Sequence, residues 1–123
     1  MMNAQAEALK ARTKRFAVAI VGLFRSFPGT EEARVIGRQV LRSATSVAAN
    51  YRAACRGRSK AEFISKIGVV VEEADETVLW LELVEDCRIA PKERVAPLLR
   101  EAQELLAIFA ASQLTARSRS MVQ

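Results

Sequence analysis

Five arginines, Arg34, Arg38, Arg42, Arg52 and Arg56, fall within one 23-residue stretch of a 123-residue chain. An α-helix turns about 100° per residue, which places all five inside an arc of about 80°. A guanidinium is a planar fork that grips phosphate oxygens in two places and stacks on bases, so a line of them suits a nucleic-acid backbone. Lys10, Lys14 and Arg25 in the preceding segment are candidate helpers. Contacts to phosphate predict affinity that falls steeply with salt and discriminates little between sequences. The same arginines can instead pair with carboxylates, within one chain or between copies, and so fix an assembly. Both readings stay open.

Other chemistry finds little support. The chain has no histidine, the commonest general base and metal ligand. Cys55 and Cys87 stand alone without ligand spacing and read as reduced thiols. Acids cluster at Glu72, Glu73, Asp75 and Glu76, but carboxylate bundles that hold two metals use Glu-x-x-His pairs, and histidine is missing. The cluster reads as a solvated acid face. No enzyme, catalytic residue, metal or cofactor is expected. No helix-turn-helix, zinc finger or RNA-binding aromatic pair is visible either.

Charge is unevenly distributed. The net charge is +5, yet residues 1–58 carry +8 and residues 59–115 carry −5. The two halves can neutralise each other, or the basic half can meet nucleic acid. The N-terminus lacks the apolar core of a signal peptide. No apolar run approaches the ~20 residues of a membrane span, and the cluster at residues 67–71 falls far short of it. A cytoplasmic protein with no membrane partner is expected.

The elements that must position these residues are helices. Breaks occur at Phe27-Pro28-Gly29-Thr30, at Arg56-Gly57-Arg58-Ser59 and around Arg88-Ile89-Ala90-Pro91. Thr30 reads as an N-cap, Ser59 with Glu62 as a capping box, and Gly57 as a left-handed helix end. Pro91 suits a helix start, whereas Pro97 demands a kink or a later start. Apolar periodicity predicts helices over residues 4–26, 31–56, 59–87 and 91–115, and no strands. Loops this short make neighbouring helices antiparallel, so the expected fold is an all-α, up-down-up-down four-helix bundle. Residues 1–115 form its single domain, and 116–123 a flexible tail.

Two lines of residues need a further reason. Val69, Trp80, Leu83, Val84 and Cys87 make a second apolar line on the third helix, continued upward by Glu62, Glu73 and Glu76. A helix apolar nearly all round is central or meets another molecule, and Trp80 points to a subunit interface. The acids on this line are placed to meet the arginines of an adjacent subunit. On the second helix, Gln39, Ser43, Ser46 and Asn50 border the apolar seam. Small polar residues there let helices approach closely, and amides can bridge backbones, so this line reads as structural.

The run "RQVLRSATSVAANYRAACRGRSKAEF", followed by "EEADETVLWLEL", resembles the bacterial four-helix bundle protein family. Its members include proteins encoded by intervening sequences inside 23S ribosomal RNA genes. A relative is the accessory variability protein of diversity-generating retroelements. The residues that carry the resemblance are Gln39, Arg42-Ser43-Ala44, Ser46, Asn50, Arg58-Ser59 and Glu62-Phe63, with Phe27-Pro28 at the expected turn. It implies a closed homopentameric ring of antiparallel bundles. For the retroelement relative it implies a basic surface that binds nucleic acid, and a reverse transcriptase partner. For most members it implies no established activity. Many members read Asn-Ile-Ala-Glu-Gly where this chain has Asn50-Tyr51-Arg52-Ala53-Ala54. A role resting on that glutamate does not transfer.

Overall fold

Local sequence punctuates the chain into four helices: α1 (Ala4–Arg25), α2 (Glu31–Cys55), α3 (Lys60–Asp86) and α4 (Lys92–Val122). The computed structural model describes residues 3–122. Met1, Met2 and Gln123, counted above within the domain and its tail, lie outside them. No strand occurs among the described residues.

The caps follow side-chain chemistry. Thr30 accepts from the backbone N–H of Ala33, and Ser59 from that of Glu62 at 3.1 Å. Each such cap stabilises its helix by about 1 kcal/mol. Glu62 reaches back to the N–H of Arg58, closing the box one residue earlier than the usual pattern. Glu62 is thereby tied to its own helix start.

Two turns depart from the sequence reading. Gly57 is not left-handed, and α2 closes on Arg56 with φ −97°. What Gly57 supplies is room: a Cβ there would lie 3.1 Å from the Ala54 carbonyl and 3.3 Å from the Phe63 nitrogen. The left-handed residue is Arg88, with φ 56°. Its N–H donates to the Glu85 carbonyl, and the N–H of Ile89 donates to that of Val84 at 2.9 Å. These two bonds form a Schellman motif, with Ile89 and Val84 both buried beside it. That arrangement offsets the cost, about 1 kcal/mol, of a non-glycine residue in this conformation.

The core is built from the predicted seams. Phe16, Ile20 and Leu23 of α1 meet Val40, Ala44, Val47, Tyr51 and Ala54 of α2. Ile67, Val70, Ala74 and Leu81 of α3 join Val95, Ala102, Leu105 and Phe109 of α4. Contact is most extensive between α2 and α3 and least between α1 and α4. Tyr51 and Phe109 pack across the core with ring centroids 4.9 Å apart and planes tilted by 42°. Gly37 admits the rings of Phe24 and Phe27, which would lie 2.9–3.0 Å from an added Cβ.

α4 begins at Lys92, directly after Pro91, and carries Pro97 in its second turn. Its other end corrects the expectation of a tail after Thr115, because the helix continues to Val122. The segment from Ala116 to Val122 contains neither glycine nor proline, and alanine and arginine are good helix formers. Nothing in it stops propagation.

Candidate functional site

All five arginines of the stripe are exposed on one face, and the fold treats one differently from the other four. Arg42 reaches across to α3, where Glu73 and Glu76 are three residues apart and hence on one face. Its Nη1 donates to Glu73 Oε2 at 3.0 Å and its Nη2 to Glu76 Oε1 at 2.7 Å. Gln39 Oε1 accepts from Arg42 Nε at 3.0 Å, and Trp80 Nε1 donates to Glu76 at 3.4 Å. Arg34, Arg38, Arg52 and Arg56 form no ion pair among the described residues.

The helpers divide in the same way. Lys10 lies 3.3 Å from Glu7 on its own helix, while Lys14 and Arg25 have no ion pair among the described residues. Lys10 and Lys14 share a groove of about 390 Å³ with Arg52. Its remaining lining is Ala17, Thr45, Ala48 and Ala49, all short side chains. The groove exists because α1 and α2 meet through small residues at this level, whereas the Phe24 and Phe27 rings fill the gap at the other end.

The polar line on α2 is used within the fold. Ser43 and Thr77 are both fully buried and their hydroxyls meet at 2.9 Å, joining α2 to α3. Thr77 Oγ1 also lies 2.7 Å from the Glu73 carbonyl. Asn50 Nδ2 donates to the carbonyl and hydroxyl of Ser46, at 2.9 and 2.8 Å. The amides Gln39 and Asn50 therefore bridge within α2, and only Ser43 crosses to its neighbour.

The second apolar line on α3 is corrected at one position. Val84 has no exposed surface and belongs to the core. Its Cβ lies 100° around the helix from that of Leu83, on the side of Thr77 and Leu81. Glu73 and Glu76 are engaged by Arg42 of their own chain. Val69 and Cys87 are exposed, and Trp80 and Leu83 are half-buried. Leu79, which sequence reasoning passed over, is 49% exposed beside them.

Arg12 was also missed. It ties α1 to α4 through two 2.7 Å bonds to Glu101 and a third, at 3.3 Å, to Glu104. The Glu101 hydrogen bond, outweighing partial burial, raises the guanidinium pKa above its ordinary value. A signal existed, since Arg12 borders the Leu9–Phe16 seam and the two glutamates border the Ala102–Leu105 seam. Reading it required the register between helices.

At the end of the bundle a second cleft, of about 300 Å³, is lined by Leu9, Tyr51, Cys55, Phe63 and Ser112 among others. Burial, and then the neighbouring Cys55 thiol, push the Tyr51 hydroxyl above the usual tyrosine range. Among the described residues no group of three or more Cys, Asp or Glu side chains could hold a metal ion. No helix among them is long and apolar enough to cross a membrane.

Against this geometry, residues 8–111 match the family model described as 23S rRNA-intervening sequence protein. Among solved structures the chain is similar to a protein of unknown function from the S23 ribosomal protein family of Bacteroides thetaiotaomicron. The two are 32% identical with a TM-score of 0.78, over 85% of this chain and 96% of that one. No curated protein matches the chain.

Proposed function

The chain belongs to the 23S rRNA-intervening sequence protein family, and we propose that it is a non-enzymatic cytoplasmic accessory protein that holds RNA or DNA by the phosphate backbone. One observation carries this reading. Of five arginines on one face of α2, only Arg42 is paired with carboxylates among the described residues, which leaves the other four available to an anion. A guanidinium row with no base-reading element would bind the backbone with little sequence preference.

The proposal extends to arrangement and assembly. We infer that the helices run up-down-up-down. Phe24, late in α1, lies against Gly37, early in α2, while Lys10 shares the groove with Arg52. We infer a closed homo-oligomeric ring joined along α3 through Val69, Trp80, Leu83 and Cys87, with Leu79 beside them. The family resemblance implies five copies. A ring would repeat a weak basic site and raise affinity through avidity.

An assembly role for the whole stripe, in a protein-binding scaffold, has less support. Glu73 and Glu76, the acids best placed to receive arginines from another copy, already hold Arg42.

Fluorescence anisotropy on protein of measured oligomeric mass tests the proposal. The probes are a labelled RNA and a duplex DNA, each about 20 units long, in a salt series from about 50 mM. Wild type should bind one or both with a steeply negative log–log salt slope. Replacing Arg34, Arg38, Arg52 and Arg56 together by Gln should abolish that binding at unchanged mass. No wild-type binding at the lowest salt overturns the reading, as does a variant that binds like wild type.

A further inference from the structure

We propose that the groove between α1 and α2 is the seat of a backbone phosphodiester, with Lys10 and Lys14 on one wall and Arg52 on the other. The inference rests on the nucleic-acid reading above and deepens it by saying where on the basic face the strand is held. The other cations of α2 follow one another along a single helix. Here, by contrast, three cationic side chains from two helices converge on one concavity. Lys10 and Lys14 are four residues apart and share a face of α1. Convergence lets several donors reach the oxygens of one phosphate, which a row of side chains on a convex helix cannot do.

The lining favours an anion over other occupants. No carboxylate among the described residues lines the groove. Glu7, the partner of Lys10, has a side chain 57% exposed, and an exposed pair at 3.3 Å is weak and easily exchanged. Thr45 donates its hydroxyl to the Leu41 carbonyl at 2.8 Å, which leaves the cationic walls to hold the phosphate. Ala17, Ala48 and Ala49 keep that floor low. The volume of about 390 Å³ falls within the 300–1,000 Å³ of small-ligand sites, ample for a phosphodiester with parts of its flanking sugars. No aromatic ring lines the groove, so bases gain no stacking platform and the contact is indifferent to sequence.

Arg34 and Arg38 lie about 27 and 21 Å from Arg52 along α2, at 1.5 Å per residue. They are too distant to touch the same phosphate and serve another one. The groove would then fix one point of the strand, and the distal pair would set its direction.

Two double variants of equal charge separate this from general electrostatics. Lys14→Gln with Arg52→Gln takes one cation from each groove wall and leaves Lys10, and Arg34→Gln with Arg38→Gln removes the same charge from the distal pair. All four positions are exposed, and circular dichroism and oligomeric mass would be matched to wild type. The probe is a labelled oligouridylate of about 20 nucleotides, titrated across a salt series. The groove variant should lose about tenfold in affinity at the lowest salt and about 0.7 from the salt slope, the expectation for one lost single-strand phosphate contact. The distal variant should lose less than about threefold. Ala49→Leu, which raises the floor and leaves the charge intact, should also weaken binding. Equal losses in the two charge variants, with Ala49→Leu binding like wild type, overturn the seat and leave the nucleic-acid reading standing. Wild type that binds no probe, RNA or DNA, overturns both.

Discussion

Towards α3, α2 is closed and internally satisfied: Ser43 is buried on Thr77, and Arg42 is held by Glu73 and Glu76. Towards α1, the same helix offers alanines, a groove and an arginine with no ion pair among the described residues. Both flanks carry small residues and arginines, so composition does not distinguish them. What differs is the partner. α3 brings two carboxylates level with Arg42, and α1 brings two lysines level with Arg52. On the first flank the arginine is matched by carboxylates, and on the second Lys14 and Arg52 have no ion pair among the described residues.

The largest expected effect tests the packing side of this contrast. Ser43→Leu forces a larger side chain into the closed seam and removes one of the two partners of Thr77. It should cost about 2–3 kcal/mol in urea unfolding. Ala49→Leu, on the exposed floor of the other flank, should stay within about 0.5 kcal/mol of wild type. Equal losses would mean that the two flanks are packed alike.

A smaller effect is expected at Arg12, a cation of α1 that has found carboxylates. Its side chain is 28% exposed and that of Glu101 27%, so the pair is only partly screened. Arg12→Gln should lower stability by about 1–2 kcal/mol, because two short charge-assisted bonds are lost and Glu101 is left beside Glu104. Binding of the labelled RNA should not change. Weakened binding without loss of stability would place Arg12 on the basic face, contrary to its role as a tie.

Much of this was legible because it is local. The four apolar seams, the Thr30 and Ser59 caps and the shared arginine face all follow from spacing along one helix. The misreadings have two sources. Val84 shares a face with Trp80, four residues before it, but the 40° between them carries Val84 towards Thr77 and Leu81 and into the core. The segment after Thr115 looked like a tail because it is polar, yet no breaker ends α4 there. The fates of Arg42 and Arg12 were beyond single-helix reasoning. Each depends on how far one helix is shifted along another, which core packing decides. The groove is harder still to foresee, since it arises from an absence of bulk on two helices at one level.

The smallest predicted effect gives the finest test of the contrast. Arg42 has the same spacing and exposed setting as Arg38, one turn earlier, and differs only in facing Glu73 and Glu76. The Arg42 side chain is 47% exposed, so its pairs are largely screened, and Arg42→Gln should cost no more than about 0.5 kcal/mol. If those pairs hold in the complex, Arg42 contributes nothing to a phosphate, and Arg42→Gln should leave RNA affinity and salt slope unchanged. Arg38→Gln should reduce the slope, by less than about 0.7, the share of one full single-strand contact. A matching fall in both variants would show that RNA draws Arg42 away from its glutamates. The boundary between the two flanks would then be a property of the free protein alone.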